Sequence, residues 1–161
     1  MNQTHNIQPV YNQYSKILIL GSFPSVKSRE AKFFYHHPQN RFWKIFEHLY
    51  NVSLDSVSQK KNFLLEHHIA LWDVIESCDI TGSSDSSIKN VVVNDLSSLI
   101  DHSQIQYIFT NGKKAHALYQ KYCLEHTHIE DICLPSSSPA NGAYSLERLI
   151  EHYQIIKNLS I

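Results

Sequence analysis

The chain has no apolar run approaching the roughly 18 to 20 residues needed to cross a bilayer. It carries only three cysteines in 161 residues, Cys78, Cys123 and Cys133, far apart and odd in number. That excludes a CxxC motif and leaves too few thiolates for a four-cysteine iron–sulfur cluster. Reduced thiols suit the cytoplasm, and the polar opening MNQTHNIQPVYNQYS lacks a signal peptide's basic and then apolar regions. A cytoplasmic location is therefore expected. Neither the Walker A spacing nor a dinucleotide-binding fingerprint occurs. A strong charge of one sign is missing too, because the formal net charge is −1. With no internal repeat, low-complexity tract or linker, residues 1–161 read as one domain with residues 1–15 as its N-terminal segment.

What is present is patterned. Four short apolar runs read as buried strands: Ile17 to Leu20, Ile69 to Ile75, Ile105 to Phe109 and Ile129 to Leu134. Between and after them lie helical stripes, among them Phe42, Ile45, Phe46 and Leu49, then Ala115, Leu118, Tyr119 and Tyr122, then Leu146, Leu149, Ile150 and Tyr153. This alternation predicts a three-layer α/β/α sandwich with a central, mostly parallel four-stranded sheet. In such folds ligands bind outside the carboxyl ends of the strands. Four unusual stretches fall there: GSFPSVKSREAKFFYHHPQN, the residues after Trp72-Asp73, TNGKK, and PSSSPANG.

Each stretch allows an ordinary and a functional reading. In GSFPS, Gly21 permits close approach of a ligand to the backbone and Pro24 stiffens the turn. The run FFYHHPQNRFW holds five aromatic residues from Phe33 to Trp43. It is either a core plug or a slot for a flat ligand. Pro38 forces His37 toward an extended conformation, so a helix is expected to start near Asn40. Asn40 is then an N-cap or a catalytic amide. Tyr35 is core or a stacking face. His36 and His37 find no third ligand at a convincing spacing, and neither do His126 and His128, so no metal and no cofactor is expected. Asp73 either caps a turn or hydrogen-bonds the edge of a base. Asn111-Gly112 is a turn, or a helix start that holds phosphate with Lys113 and Lys114. The Pro135–Asn141 loop is a stiff loop whose serines suit phosphate contacts. Five basic residues against one acid between Pro24 and Lys44, namely Lys27, Arg29, Lys32, Arg41 and Lys44 against Glu30, form a solvated face or a phosphate-binding one.

With these residues in view, the chain resembles the uracil-DNA glycosylase superfamily, and within it the DNA-deoxyinosine (hypoxanthine-DNA) glycosylases. The carriers are LILGSFPSVKSRE, FYHHPQNRFWK, LWDVIESC with GSSDSSIKN, TNGKKA and LPSSSPANG, in family order from Lys16 to Ile156. HPQNRFWK is also similar to the mismatch-specific uracil and thymine glycosylases. Those relatives place a water-positioning asparagine in the first strand's motif, where this chain has Phe23. The resemblance implies that Asn40 takes over the water and that uracil activity is weak. It implies a monofunctional glycosylase releasing hypoxanthine from deoxyinosine, with Tyr35, Phe23, Asp73, Gly21 and Ser22 around the base. His36 or His37 would contact the departing base. Lys27, Arg41, Asn111, Lys113, Ser136, Ser137, Ser138 and Asn141 would meet DNA, double- or single-stranded, carrying a deaminated base. A monomer that does not bind membranes is expected. The alternatives are a glycosylase for uracil, xanthine or mismatches, a catalytically silent DNA-binding module of the same fold, and an enzyme acting on a free nucleoside.

Overall fold

A computed structural model describes residues 2–5 and 7–160. The strands are β1 (Asn2–Thr4), β2 (Ile17–Gly21), β3 (Ile69–Asp73), β4 (Ile75–Asp79), β5 (Lys89–Val93), β6 (Tyr107–Asn111) and β7 (Asp131–Leu134). The helices are α1 (Val26–Ala31), α2 (Phe42–Tyr50), α3 (Val57–Glu66), α4 (Leu96–Asp101), α5 (Lys113–Tyr122), α6 (Leu124–Thr127) and α7 (Leu146–Leu159). Among the described residues, no helix is long and apolar enough to cross a membrane.

The central sheet has the order β3-β2-β6-β7, and every neighbouring pair is parallel. Residues of β2 are all buried, because side chains alternate between two covered faces. Ile17 and Ile19 enter one core with Phe42, Phe46 and Leu49 of α2, Phe63 and Leu64 of α3, and Leu149, Tyr153 and Ile156 of α7. Leu18 and Leu20 enter the other with Leu96 and Leu99 of α4 and Leu118 and Tyr119 of α5. The helices start at local signals. Ser56 and Gln59 form a capping box on α3, and the Ser145 hydroxyl accepts from Arg148 N–H to begin α7.

The apolar run Ile69 to Ile75, expected as one strand, is two. β3 ends at Asp73, and Ile75 opens β4 in a separate antiparallel sheet of order β1-β4-β5. Val74 donates its N–H to Gly21 O and Ile75 to Ser22 O as the chain leaves the central sheet. No proline or glycine marks this change. The long stretch after β2 contains the short helix α1, started by Ser25 and ended at Lys32 in a left-handed conformation. Helix α2 begins at Phe42, two residues past Asn40, with Arg41 in the cap position. The strands expected to begin at Ile105 and Ile129 begin at Tyr107 and Asp131.

Phe46 is fully buried, with ring centroids of Phe42, Phe63 and Tyr153 at 4.9, 6.1 and 6.3 Å. Phe46→Ala is expected to lower stability by about 3–5 kcal/mol, read as a reduced denaturation midpoint.

Candidate active site

The strand ends and their loops enclose a cleft of about 320 Å³ at the carboxyl edge of the central sheet. Its floor is set by a close approach at Gly21. A Cβ there would stand 2.5 Å from Asp73 Oδ1 and 3.2 Å from the Tyr35 hydroxyl. Glycine at the end of β2 is what lets these two groups meet over the strand. Neither is fully satisfied. Tyr35 Oη and Asp73 Oδ2 are both buried without a hydrogen-bond partner among the described residues. Such atoms carry a desolvation cost that a bound polar ligand can relieve.

The aromatic run divides. Phe33, Phe34, Phe42 and Trp43 are buried, and the Trp43 indole N–H donates to Phe34 O at 3.1 Å. Tyr35 sits in the left-handed region at φ 52°, a turn that brings it to the cleft. Phe42 stacks behind its ring at 3.9 Å, with 14° between the planes. Phe23, 8% exposed, also lines the cleft, with the His5 ring edge-on to it at 5.4 Å.

Asn40 lines the cleft at the end of a hydrogen-bonded chain. Its Oδ1 accepts from Phe42 N–H at 3.0 Å and from the Ser137 hydroxyl at 2.8 Å. Because a backbone N–H can only donate, the atom facing it is the oxygen, and the two bonds leave Nδ2 as the free end of the amide. Ser137 Oγ in turn accepts from Asn111 Nδ2 at 2.9 Å, and Ser137 N–H donates to Asn111 Oδ1 at 3.0 Å. Asn40 is not the N-cap of α2, a position Arg41 takes; it is a turn-forming acceptor one residue earlier that also lines the cleft.

Arg41 differs from its expected place on the DNA. Its guanidinium donates to Ser138 O at 2.8 Å, to Asn141 O at 3.0 Å and to Tyr144 O, and its backbone N–H donates to Ser137 O at 3.1 Å. It is a clamp on the Pro135–Asn141 loop. Asn111 is likewise engaged with Ser137 rather than free for phosphate. Asn141 braces its own loop by donating from Nδ2 to Ser136 O at 3.0 Å. Ser137 is fully buried and Ser136 and Ser138 are half-buried, and all three line the cleft. Lys27 and Lys113 are exposed and outside the cleft lining, and Lys27 lies 3.8 Å from Glu30. His37 lines the cleft and its Nδ1 accepts from Gln39 N–H at 3.1 Å; His36 is exposed and does not line it.

Ser22, expected at the base, donates its hydroxyl to Asp85 at 2.9 Å. Asp85 lines the cleft and was not singled out in the sequence, although it is the one acid within GSSDSS. His5 was missed as well, and no local signal marks it. Its Nε2 lies 2.7 Å from Ile75 O and 4.0 Å from Asp73 Oδ2, and its Nδ1 accepts from Ile7 N–H at 3.3 Å. Asp73 itself is 3% exposed. Burial, and then the charge of Asp85, push its carboxyl up from 3.8 to about 7. Burial holds His5 below its ordinary value, so it stays neutral beside Asp73. Among the described residues no group of three or more His, Cys, Asp or Glu is placed to hold a metal ion.

A cleft at the carboxyl ends of a parallel sheet, with a stacked tyrosine, a fixed amide and a buried carboxyl, fits an enzyme that handles a flat polar ring. The family model for the uracil DNA glycosylase superfamily matches residues 8–156, and the chain belongs to that superfamily of DNA glycosylases. A hypoxanthine DNA glycosylase of Methanosarcina acetivorans is 36% identical over 152 residues, covering 92% of this chain and 95% of that protein. One from Methanosarcina barkeri is 33% identical over 110 residues, covering 66% and 70%. A solution NMR structure of a Methanosarcina acetivorans protein, described as a proposed uracil DNA glycosylase, superposes with a TM-score of 0.84 at 32% identity, covering all of both chains.

The raised Asp73 carboxyl has a stability consequence. An unfolded aspartate ionises near 3.8, whereas the folded one keeps its proton to about 7. Its favourable contribution is therefore complete below the unfolded value and lost as pH rises through the folded one. Asp73→Asn, which cannot ionise, is expected to gain stability relative to the parent between pH 5 and pH 9, on the order of 2–4 kcal/mol. Denaturation midpoints of both proteins across that range check it.

Proposed function

We propose that the chain hydrolyses the N-glycosidic bond of deoxyinosine in DNA, releasing hypoxanthine and leaving an abasic site. The observation that carries this reading is the convergence of Tyr35, Asn40 and Asp73 on one cleft at the end of β2. The hypoxanthine DNA glycosylase names of the relatives support it.

The flipped base stacks on Tyr35, which Phe42 backs, with Phe23 elsewhere in the cleft lining. The sugar develops oxocarbenium character as the bond breaks, an electrophile that needs a placed water more than a strong base. Asn40 supplies that placement. With Oδ1 held by Phe42 and Ser137, Nδ2 is the group left to donate to the water's oxygen. Ser137 and Asn111 act through Asn40 by fixing its amide plane, and Arg41 keeps their loop in register. His37, within the cleft lining, is the histidine available to the departing base, and His36 is not. Ser136 and Ser138 in the cleft lining, with exposed Lys27 and Lys113, are the groups proposed to meet phosphates. The large ring of Phe23, standing where mismatch-specific relatives carry an asparagine, disfavours a water placed from β2 and with it efficient uracil release.

Asn40→Ala is expected to keep the fold and the affinity for inosine-containing duplex while losing at least about 10²-fold in single-turnover base release. Parent-like release by the folded variant removes Asn40 from the mechanism. A panel of duplexes carrying hypoxanthine, uracil, thymine or xanthine is expected to rank hypoxanthine first. Uracil released faster contradicts the substrate reading, and tight binding with no release of any base makes the chain a silent binding module.

A further inference from the structure

We propose that Asp73 is the acid that protonates the departing base, a role that rests on the deoxyinosine reading above. The geometry is specific. Gly21 lets the carboxyl reach the cleft floor beside Tyr35, and its Oδ2 is buried with no partner. Among the described residues, no positive charge faces it. His5 is held neutral, its Nδ1 accepting from Ile7 N–H and its Nε2 in hydrogen-bond contact with Ile75 O. Tyr35 presents a phenol whose ionisation burial and Asp73 both oppose. Asp85, also in the cleft lining, presents a second carboxyl group, tied to Ser22 and within the field of Lys114. Behind His5 stand Glu76 and Arg29, and the Arg29 guanidinium is engaged with Gly82 O at 2.6 Å and lies 5.3 Å from the Phe23 ring.

Such a floor offers an anion no positive partner. A purine that leaves with the bonding electrons and no proton would place negative charge next to two carboxyl groups. Delivery of a proton to a ring nitrogen removes that conflict. The C1′–N9 bond breaks and its electron pair goes to the base, while the Asp73 carboxyl proton passes to a ring nitrogen of the leaving hypoxanthine. Water adds through oxygen to C1′, and its released proton restores the Asp73 acid. The carboxyl held up to about 7 is in the required form at neutral pH.

The test is the pH profile of single-turnover hypoxanthine release by the parent, Asp73→Asn and Asp85→Asn, with duplex binding measured alongside. The parent is expected to be level below about pH 7 and to fall about tenfold per pH unit above it. Asp73→Asn should lose at least about 10²-fold at pH 6 and lose this limb. Asp85→Asn should keep the limb and move it to lower pH, because a neighbouring negative charge is gone. A parent rate that rises through pH 7 overturns the proposal, since it means the ionised carboxylate is the active form. So does a flat parent profile with Asp73→Asn within threefold, or a limb that vanishes only in Asp85→Asn. These outcomes leave the deoxyinosine reading standing; absence of hypoxanthine release by the parent at every pH overturns both.

Discussion

A single serine hydroxyl, that of Ser137, holds the active end of this protein together. It donates to Asn40 from one loop and accepts from Asn111 at the end of β6, so three segments distant in sequence share one hydrogen-bonded chain. The loop that carries Ser137 is itself held from the Asn40 side, because the neighbouring Arg41 grips its carbonyl groups. Gly112, at φ 99°, completes the packing, since a Cβ there would meet Ser136 Cβ at 3.0 Å. Asn40 Oδ1, the Ser137 hydroxyl and both polar atoms of the Asn111 amide are paired in this network, which fixes the amide of Asn40 in one orientation. The water-placing role proposed for Asn40 draws on that fixity.

Beside this satisfied network lies an unsatisfied one. Tyr35 and Asp73 meet over Gly21 with buried oxygen atoms left unpaired. The two halves of the cleft differ, one hydrogen-bonded around Asn40 and Ser137, the other with buried oxygen atoms left unpaired. The antiparallel sheet β1-β4-β5 builds the second half. It brings His5 behind Asp73 and holds Asp85 on the turn between β4 and β5, so the sheet lying outside the parallel core sets the charge of the site.

The parallel core was legible because its signals are local. The ILIL run, the stripes of α2, α5 and α7 and the loops at the strand ends can all be read within short windows. So can the convergence of Tyr35 and Asn40, once the four loops are placed at one edge. The break at Val74 was not legible, because the IALWDVI run is continuously apolar and the chain turns out of the sheet without a glycine or proline. The role of Arg41 was equally hidden. An arginine beside an active asparagine reads as a phosphate ligand, and only the fold shows its guanidinium meeting carbonyls 97 to 103 residues away. Asp85 acts through space on Asp73 and His5 lies 4.0 Å from it, and nothing in their local sequence says so.

The most direct measurement is a crystal structure with duplex DNA carrying a 2′-fluoro deoxyinosine, which resists cleavage because the substituent destabilises the oxocarbenium state. If the cleft is the active site, the base lies flipped against Tyr35 with its edge at Asp73, and a water sits between Asn40 and C1′. A base left stacked in the duplex, or one lodged away from Tyr35 with no water at Asn40, would contradict it.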